Sequence, residues 1–129
     1  MTRKAIQTAS APRPAGGYSQ GIVANGLLYT AGLGPQDPST GEIVGDAVAD
    51  QTRQVMSNLQ GILDEASLGF QDVVKVTVHL AHLDRDFKDF DKAYGEFVTE
   101  PPPVRTTVGS TLAGILVEID VVAAFPSSP

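Results

Sequence analysis

The second half of the sequence alternates between helical and strand periodicity, and this alternation restricts the possible folds more than any other feature. Residues 47–68 carry apolar side chains at helical spacing, with Asp46 as the predicted N-cap and Gly69 just past the end. Residues 73–80 alternate as a half-buried strand, and residues 84–98 return to helical spacing. Helices that connect strands of one sheet require at least one parallel crossover, so the pattern predicts helices packed against a sheet.

A hairpin is predicted ahead of these helices. Residues 21–24 and 27–31 read as two strands across Asn25-Gly26, a dipeptide typical of a type I′ turn. Further strands are predicted at 42–44, 105–109 and 115–125. The predicted order is ββ(β)αβαββ, a single α+β domain over residues 1–129 with a mixed sheet and both helices on one face. The other face carries apolar residues, which predicts that it is covered by oligomerisation.

Two side-chain patterns assign residues to the core. One side of the strand at 73–80 carries Val74, Val76, Val78 and Leu80, and the other carries Lys75, Thr77 and His79. The second helix has an aromatic stripe at three-to-four spacing, formed by Phe87, Phe90, Tyr94 and Phe97. Such a stripe is far more often core packing than a cofactor site.

The composition disfavours several classes of function. The chain has 129 residues, which suits one compact domain, and its net charge of −6 disfavours binding to phosphate backbones or anionic lipid. It contains no cysteine, so a disulfide, a thiolate zinc site and a cysteine nucleophile are all excluded. Neither a membrane-length apolar stretch nor a signal-peptide pattern occurs, so we expect a soluble, cytoplasmic protein with neither nucleic acid nor membrane as a partner.

A run of three prolines, Pro101–Pro103, leads into the strand that carries Arg105. Proline fixes φ and has no backbone donor, so the chain enters this strand along a restricted path. The run therefore presents Arg105 in a defined direction. The alternative is that Arg105 is a surface charge that follows a loop.

Two acids, Glu118 and Asp120, interrupt an otherwise apolar final strand. Their spacing places both carboxylates on one face of the sheet. A partly buried carboxylate is costly unless it is paired or lines a cavity, and Arg105 is the obvious cationic partner. The alternative is a solvated face or a purely structural ion pair.

The remaining motifs carry little chemistry. Gly32-Leu33-Gly34 is too short for a dinucleotide-binding loop, and neither a phosphate-binding loop motif nor a serine-hydrolase motif occurs. The two histidines, His79 and His82, have no helical i, i+4 partner, so a metal site is not expected.

Six short motifs are spread over nearly the whole chain, at residues 17–21 (GYSQG), 30–32 (TAG), 38–42 (PSTGE), 94–97 (YGEF), 103–105 (PVR) and 117–120 (VEID). Together they resemble the YjgF/RidA family of reactive intermediate (enamine and imine) deaminases, also called the endoribonuclease L-PSP family. The resemblance implies a chorismate-mutase-like α+β fold that assembles as a homotrimer, with sites in clefts between neighbouring subunits.

The resemblance also implies a reaction, the hydrolysis of 2-aminoacrylate and its imine tautomers to 2-keto acids and ammonia. In it, Arg105 would bind the substrate carboxylate through its planar guanidinium, and Asp120 would place or activate water. The other residues implied at the substrate are Tyr18, Ala31, Gly32, Asp91 and Thr107. No metal or organic cofactor is implied.

Four positions depart from the family pattern: Ala31 replaces a serine, Asp91 an asparagine, Thr107 a frequent cysteine and Asp120 a glutamate. The shorter Asp120 withdraws its oxygens by about 1.5 Å. The arginine that would bind the carboxylate is kept, while Asp120, which would place or activate water, is changed. This favours a different substrate or reduced activity on small imines, such as that of a pathway-specific relative acting on 2-aminomuconate-like acids.

Two other functions remain alternatives. A non-catalytic module that binds small carboxylates would need only the arginine. A ribonuclease or translation inhibitor is disfavoured by the acidic charge balance and the lack of a basic patch.

Overall fold

A computed structural model describes residues 2–127, which form one six-stranded mixed sheet with two helices packed on it. The strands are β1 (Lys4–Ile6), β2 (Gly21–Ala24), β3 (Leu27–Thr30), β4 (Val73–Leu80), β5 (Val104–Gly109) and β6 (Val117–Ala124). The helices are α1 (Val48–Glu65) and α2 (Leu83–Gly95), and a short 3-10 helix spans Phe70–Asp72. The single domain predicted over 1–129 includes residues 1, 128 and 129, which lie outside the described residues.

The strand order across the sheet is β1-β2-β3-β6-β4-β5. Strands β4 and β5 are parallel and α2 connects them, which confirms the predicted crossover, whereas the other pairings are antiparallel. Strand β5 therefore lies at one edge of the sheet and β6 lies near its centre. Strand β1 was not predicted, because three residues with only Ile6 buried are too few to show alternation.

The predicted hairpin is confirmed. Strands β2 and β3 are antiparallel, with Ala24 paired to Leu27. The two turn residues both have positive φ, 53° at Asn25 and 76° at Gly26, as a type I′ turn requires. The short strand predicted at 42–44 is absent as a strand, and Ile43 forms only an isolated bridge to Gln36.

Both predicted helices exist, but α1 begins and ends differently from the prediction. Its N-cap is Ala47, which makes no side-chain cap bond, so the prediction of Asp46 was wrong. Its C-terminus is closed by Ser67 at φ 59°, with backbone bonds from Ser67 to Asp64 and from Leu68 to Leu63. These bonds form a Schellman motif, so the helix stops at Glu65, before the predicted Leu68. Helix α2 likewise ends at Gly95 and not at 98.

One face of the sheet and the inner faces of the helices form the core. Buried side chains from β4 and β6 lie in register, with Val76 opposite Val121 and Val78 opposite Ile119. The prediction for Val74 was wrong, because a register shift between Val73 and Lys75 leaves its side chain 46% exposed.

Within residues 2–127 no helix lies on the opposite face of the sheet, and we call it the open face. It carries the residues that alternate with the core, among them Lys75, Thr77 and His79 on β4 and Glu118, Asp120 and Val122 on β6. Strand β5 adds Val104, which is 66% exposed, with Thr106 and Val108. Glu118 and Asp120 therefore share one face, as their spacing predicted. Neither helix in residues 2–127 is long and apolar enough to cross a bilayer.

Candidate functional site

Arg105 lies on the edge strand β5, on the side of the sheet that carries the helices. In the parallel register it is paired with the buried Val76, and Thr107 is paired with Val78. Because α2 packs over this side, the guanidinium comes to lie against that helix. The Arg105 side chain is 21% exposed, so it lies in a partly buried position with access to solvent. It is more enclosed than a surface charge that merely follows a loop.

Three aromatic rings of α2 form a platform for the guanidinium. The Arg105 Cζ atom lies 4.9 Å from the ring centroid of Tyr94, 5.4 Å from that of Phe90 and 5.7 Å from that of Phe87. A cation at this distance from an aromatic face is attracted by the ring quadrupole, more strongly where water is excluded. Burial raises the pKa of Tyr94, and the positive charge of Arg105 opposes this rise. The three rings therefore hold the guanidinium against α2.

The side-chain hydrogen bond of Arg105 goes to Asp91. Its NH1 donates to Asp91 Oδ1 at 2.7 Å, and among the described residues this is the only side-chain hydrogen bond that Arg105 makes. A guanidinium has five N–H donors, so the edge formed by Nε and NH2 can still receive a carboxylate bidentately. We call Asp91, Arg105, Thr107 and the three rings the arginine site.

Asp120 lies on the open face, not beside Arg105. Its register partner on β4 is Thr77, whereas that of Arg105 is Val76, so the two side chains point to opposite faces of the sheet. The prediction that Arg105 is the cationic partner of the acids is therefore wrong within one chain. Burial raises the pKa of Asp120, and the charges of His79 and Lys75 oppose the rise.

Glu118 lies next to Asp120 on this face and contacts the loop after β3. A Cβ on Gly32 would lie only 2.7 Å from Glu118 Oε2, so a residue larger than glycine at position 32 would displace the carboxylate. Glu118, Gly32 and Tyr18 line one groove of about 1100 Å³ between the N-terminal segment and the loop after β3. We call Glu118 and Asp120, with Gly32 and Tyr18, the acidic site.

Two buried amides hold the loops around the acidic site. Gln20 donates to the carbonyls of Thr8, Ala11 and Pro12 through Nε2, and its Oε1 accepts the Thr8 N–H. Asn58, fully buried on α1, donates to the carbonyls of Gly34 and Gln36. These bonds fix segments that have little regular structure of their own. The loop positions of Tyr18 and Gly32 therefore depend on side chains far from them in sequence.

The other residues singled out from the sequence make few contacts with either site. Tyr18 is 49% exposed and its hydroxyl accepts the Ala15 N–H at 3.0 Å. Ala31 is partly buried and packs against the core, and its N–H donates to the Gln20 carbonyl. His79 Nδ1 lies 2.6 Å from Ser110 Oγ. Residues 2–127 contain no group of three His, Cys, Asp or Glu side chains that could hold a metal ion.

A family model described as Endoribonuclease L-PSP matches residues 8–125, almost the whole chain. The chain belongs to this family, the YjgF/RidA family. A RutC family protein of Pyrococcus horikoshii is 42% identical to it over 94% of this chain and 97% of its own length. Reactive Intermediate Deaminase A, chloroplastic, of Arabidopsis thaliana is 36% identical over 95% of this chain and 66% of its own length.

Solved structures of the YjgF/RidA family have the same fold. The crystal structure of E. coli TdcF with bound serine matches with a TM-score of 0.88 at 33% identity, and the match covers 95% of this chain and 99% of that one. This confirms the predicted α+β fold with two helices on a mixed sheet.

Sequence reasoning missed two parts of the candidate site. Phe87, Phe90 and Tyr94 were assigned to core packing, but Phe87 is 39% exposed and all three rings also face Arg105. An exposed member in the aromatic stripe and an arginine on the next strand were the available signals. The contact between Gly32 and Glu118 joins residues far apart in sequence, and no local pattern indicated it.

Proposed function

We propose that the protein hydrolyses small 2-imino and 2-enamino acids to 2-keto acids and ammonia. The observation that carries this proposal is the arginine site, where a partly buried guanidinium lies on three rings with one edge available for a carboxylate. A planar fork of this kind fixes the carboxylate and the carbon next to it. The name of the Arabidopsis relative, Reactive Intermediate Deaminase A, and the serine bound to TdcF support a substrate of this size and charge.

The chemical step needs a base and a water molecule. In our proposal the Asp120 carboxylate takes a proton from water while the oxygen attacks the imine carbon, and the resulting carbinolamine loses ammonia to leave the keto acid. A carboxylate whose pKa is raised by burial is a better base than a solvated one, which supports Asp120 in this role. Its oxygens lie closer to the sheet than those of a glutamate, so we expect slower turnover than with glutamate there.

The reaction also needs a second subunit. Arg105 and Asp120 lie on opposite faces of one sheet, so in our proposal the arginine site of one chain meets the acidic site of a neighbour. A homotrimer formed through the open face would bury its exposed apolar side chains, which include Tyr29, Val104 and Val108. Such a head-to-tail ring uses the same two surfaces at every interface.

A coupled assay tests the reaction. A threonine dehydratase releases enamine and imine intermediates, and we expect the protein to accelerate the appearance of 2-ketobutyrate. Replacing Arg105→Ala removes a charge-assisted pair and should reduce this acceleration by about a hundredfold or more. Asp89→Asn, a charge change on the exposed face of α2, is the control and should keep full activity. An unchanged rate with the wild-type protein contradicts the general deaminase proposal.

A non-catalytic carboxylate-binding module is the second candidate. The observation that favours it is the altered acidic site, in which Ala31 lacks the family hydroxyl and Asp120 is short. Calorimetric binding of 2-ketobutyrate, lost in Arg105→Ala, together with no rate gain in the coupled assay would support this function. We propose no ribonuclease activity, because the net charge of −6 opposes binding to a phosphate backbone.

A further inference from the structure

The arginine site contains an acidic residue, Asp91, although binding a carboxylate requires only the positive charge of Arg105. Its Oδ1 accepts a 2.7 Å hydrogen bond from Arg105 NH1, and its side chain is 49% exposed. Among the described residues, Oδ2 makes no hydrogen bond. One carboxylate oxygen thus holds the guanidinium, while about half of the side chain is open to solvent.

This contact changes the charge that a ligand meets. Arg105 and Asp91 together are close to neutral, so an anion that approaches the free edge of the guanidinium is also repelled by Asp91. A ligand that brings its own positive charge to Asp91 experiences attraction to both residues. The arginine site therefore distinguishes ligands by the group next to their carboxylate.

We infer that Asp91 makes the site selective for ligands with a protonated nitrogen on the carbon next to the carboxylate, and against the corresponding keto and hydroxy acids. This inference rests on the proposed function, since it assumes that Arg105 binds the carboxylate. In a 2-amino or 2-imino acid the nitrogen and the carboxyl carbon are about 2.5 Å apart. The ligand nitrogen therefore stays close to the guanidinium that binds the carboxylate, and because Asp91 is hydrogen-bonded to the same guanidinium, its negative charge acts on that nitrogen at short range.

The selectivity has a consequence for turnover. The protonated imine substrate carries the positive charge that Asp91 attracts, whereas the keto-acid product has lost its nitrogen and carries only the carboxylate. Asp91 thus favours binding of substrate over product at the same arginine. A site with asparagine at this position gives up that discrimination and holds the product more tightly.

Two ligands that differ in a single group test the inference. L-2-aminobutyrate and (S)-2-hydroxybutyrate share their carbon skeleton and carboxylate, and differ in an ammonium group against a hydroxyl. Calorimetry at neutral pH should show that the wild-type protein binds the aminobutyrate about tenfold more tightly, the effect of one charge-assisted hydrogen bond. Asp91→Asn should remove this preference, by weakening the amino acid and strengthening the hydroxy acid. An amide keeps the size and an acceptor oxygen, so a change in preference reports charge.

Two further variants separate the possible outcomes. Asp89→Asn removes the same charge from α2 without touching Arg105 and should keep the wild-type preference. Arg105→Ala should lose both ligands. If Arg105→Ala loses binding but Asp91→Asn keeps the preference for the amino acid, the inference is overturned and the carboxylate-binding role of Arg105 stands. If neither ligand binds the wild-type protein, or if Arg105→Ala binds both normally, the proposed function and the inference fail together.

Discussion

The arginine site and the acidic site lie on opposite faces of one sheet, and Arg105 in the first and Asp120 in the second carry opposite charges. Arg105 is on the edge strand, on the side of the helices, and its ion pair is with Asp91. Asp120 is two strands away on the open face, and the basic side chains near it are those of His79 and Lys75. The sheet therefore keeps the guanidinium and this carboxylate from neutralising each other within a chain. A site that uses both must combine two chains.

Mixing two inactive variants tests whether the site combines Arg105 of one chain with Asp120 of another. Of all the experiments, this one should give the largest change in activity. Arg105→Ala and Asp120→Asn should each lose at least about a hundredfold in activity, since one removes the proposed carboxylate-binding group and the other the proposed base. In the proposed trimers, assembled from equal amounts of both variants, about one quarter of the interfaces should join an intact arginine site to an intact acidic site. Activity in the coupled assay should return to about that fraction of wild type.

The control is a mixture of subunits that carry both substitutions with wild-type subunits. There the fraction of intact interfaces is again about one quarter, so the two mixtures should have equal activity. If each site is complete within one chain, the mixture of single variants stays inactive while the control mixture retains about half of wild-type activity. Light scattering on both samples checks whether they have the mass of the proposed trimer.

The two faces should also differ in how much they contribute to folding stability. Ile119 is fully buried between the sheet and the helices, and Ile119→Ala should lower the free energy of unfolding by about 2–5 kcal/mol. Val122, three residues on, lies partly exposed on the open face, and Val122→Ala should cost about 1 kcal/mol or less within a chain. Denaturant unfolding at matched protein concentration measures both.

If Ile119→Ala and Val122→Ala lower the free energy of unfolding equally, the two faces do not differ in their contribution to stability. Such a result would indicate that Val122 is as deeply buried in the assembled protein as Ile119 is in the core. Repeating the unfolding at several protein concentrations distinguishes burial in the assembly from burial within one chain. Stability gained from assembly depends on protein concentration, whereas stability gained within a chain does not.

The fold was largely predictable from local patterns, because periodicity reports which side of an element is buried. The Asn25-Gly26 hairpin, both helices and the parallel crossover followed from such patterns. The register shift after Val73 did not, since a bulge leaves no alternation signal of its own, and it moved Val74 to the surface. The left-handed Ser67 at the end of α1 is a position that glycine usually takes.

The candidate site was less predictable, because it depends on register between strands. Arg105 and Asp120 were identified from residue type, but only the pairing of β5 and β6 with β4 shows that they face opposite ways. Asp91 lies on α2 and Arg105 on β5, so a loop separates them in the sequence. The sequence indicated only that Asp91 could place a negative charge near the substrate, and not that it contacts Arg105. Chemistry could thus be assigned to residues before their neighbours were known.

The smallest expected effect is the contribution of Asp120 to the pH dependence of folding stability. Burial raises the pKa of this carboxyl above its ordinary value of 3.8, so the folded chain binds its proton more tightly than the unfolded chain does. The ionised form therefore costs stability above the folded-state pKa, and the cost disappears below the unfolded-state pKa. We expect Asp120→Asn to raise the denaturation midpoint slightly at neutral pH, with the gain shrinking to zero as the pH falls to about 4.

Asp86 provides the matched comparison with the opposite sign. Its hydrogen bonds from Arg85 lower its pKa, so its ionised form stabilises the fold at pH values above the unfolded-state pKa, and this contribution is lost as the pH falls through the folded-state pKa. Asp86→Asn should therefore lower the midpoint at neutral pH, where Asp120→Asn raises it. Arg85 is largely exposed, so solvent screening keeps this effect small. If Asp120→Asn lowers the midpoint as Asp86→Asn does, Asp120 is stabilised by its neighbours and is not destabilised by burial, and its proposed role as a base of raised pKa loses its support.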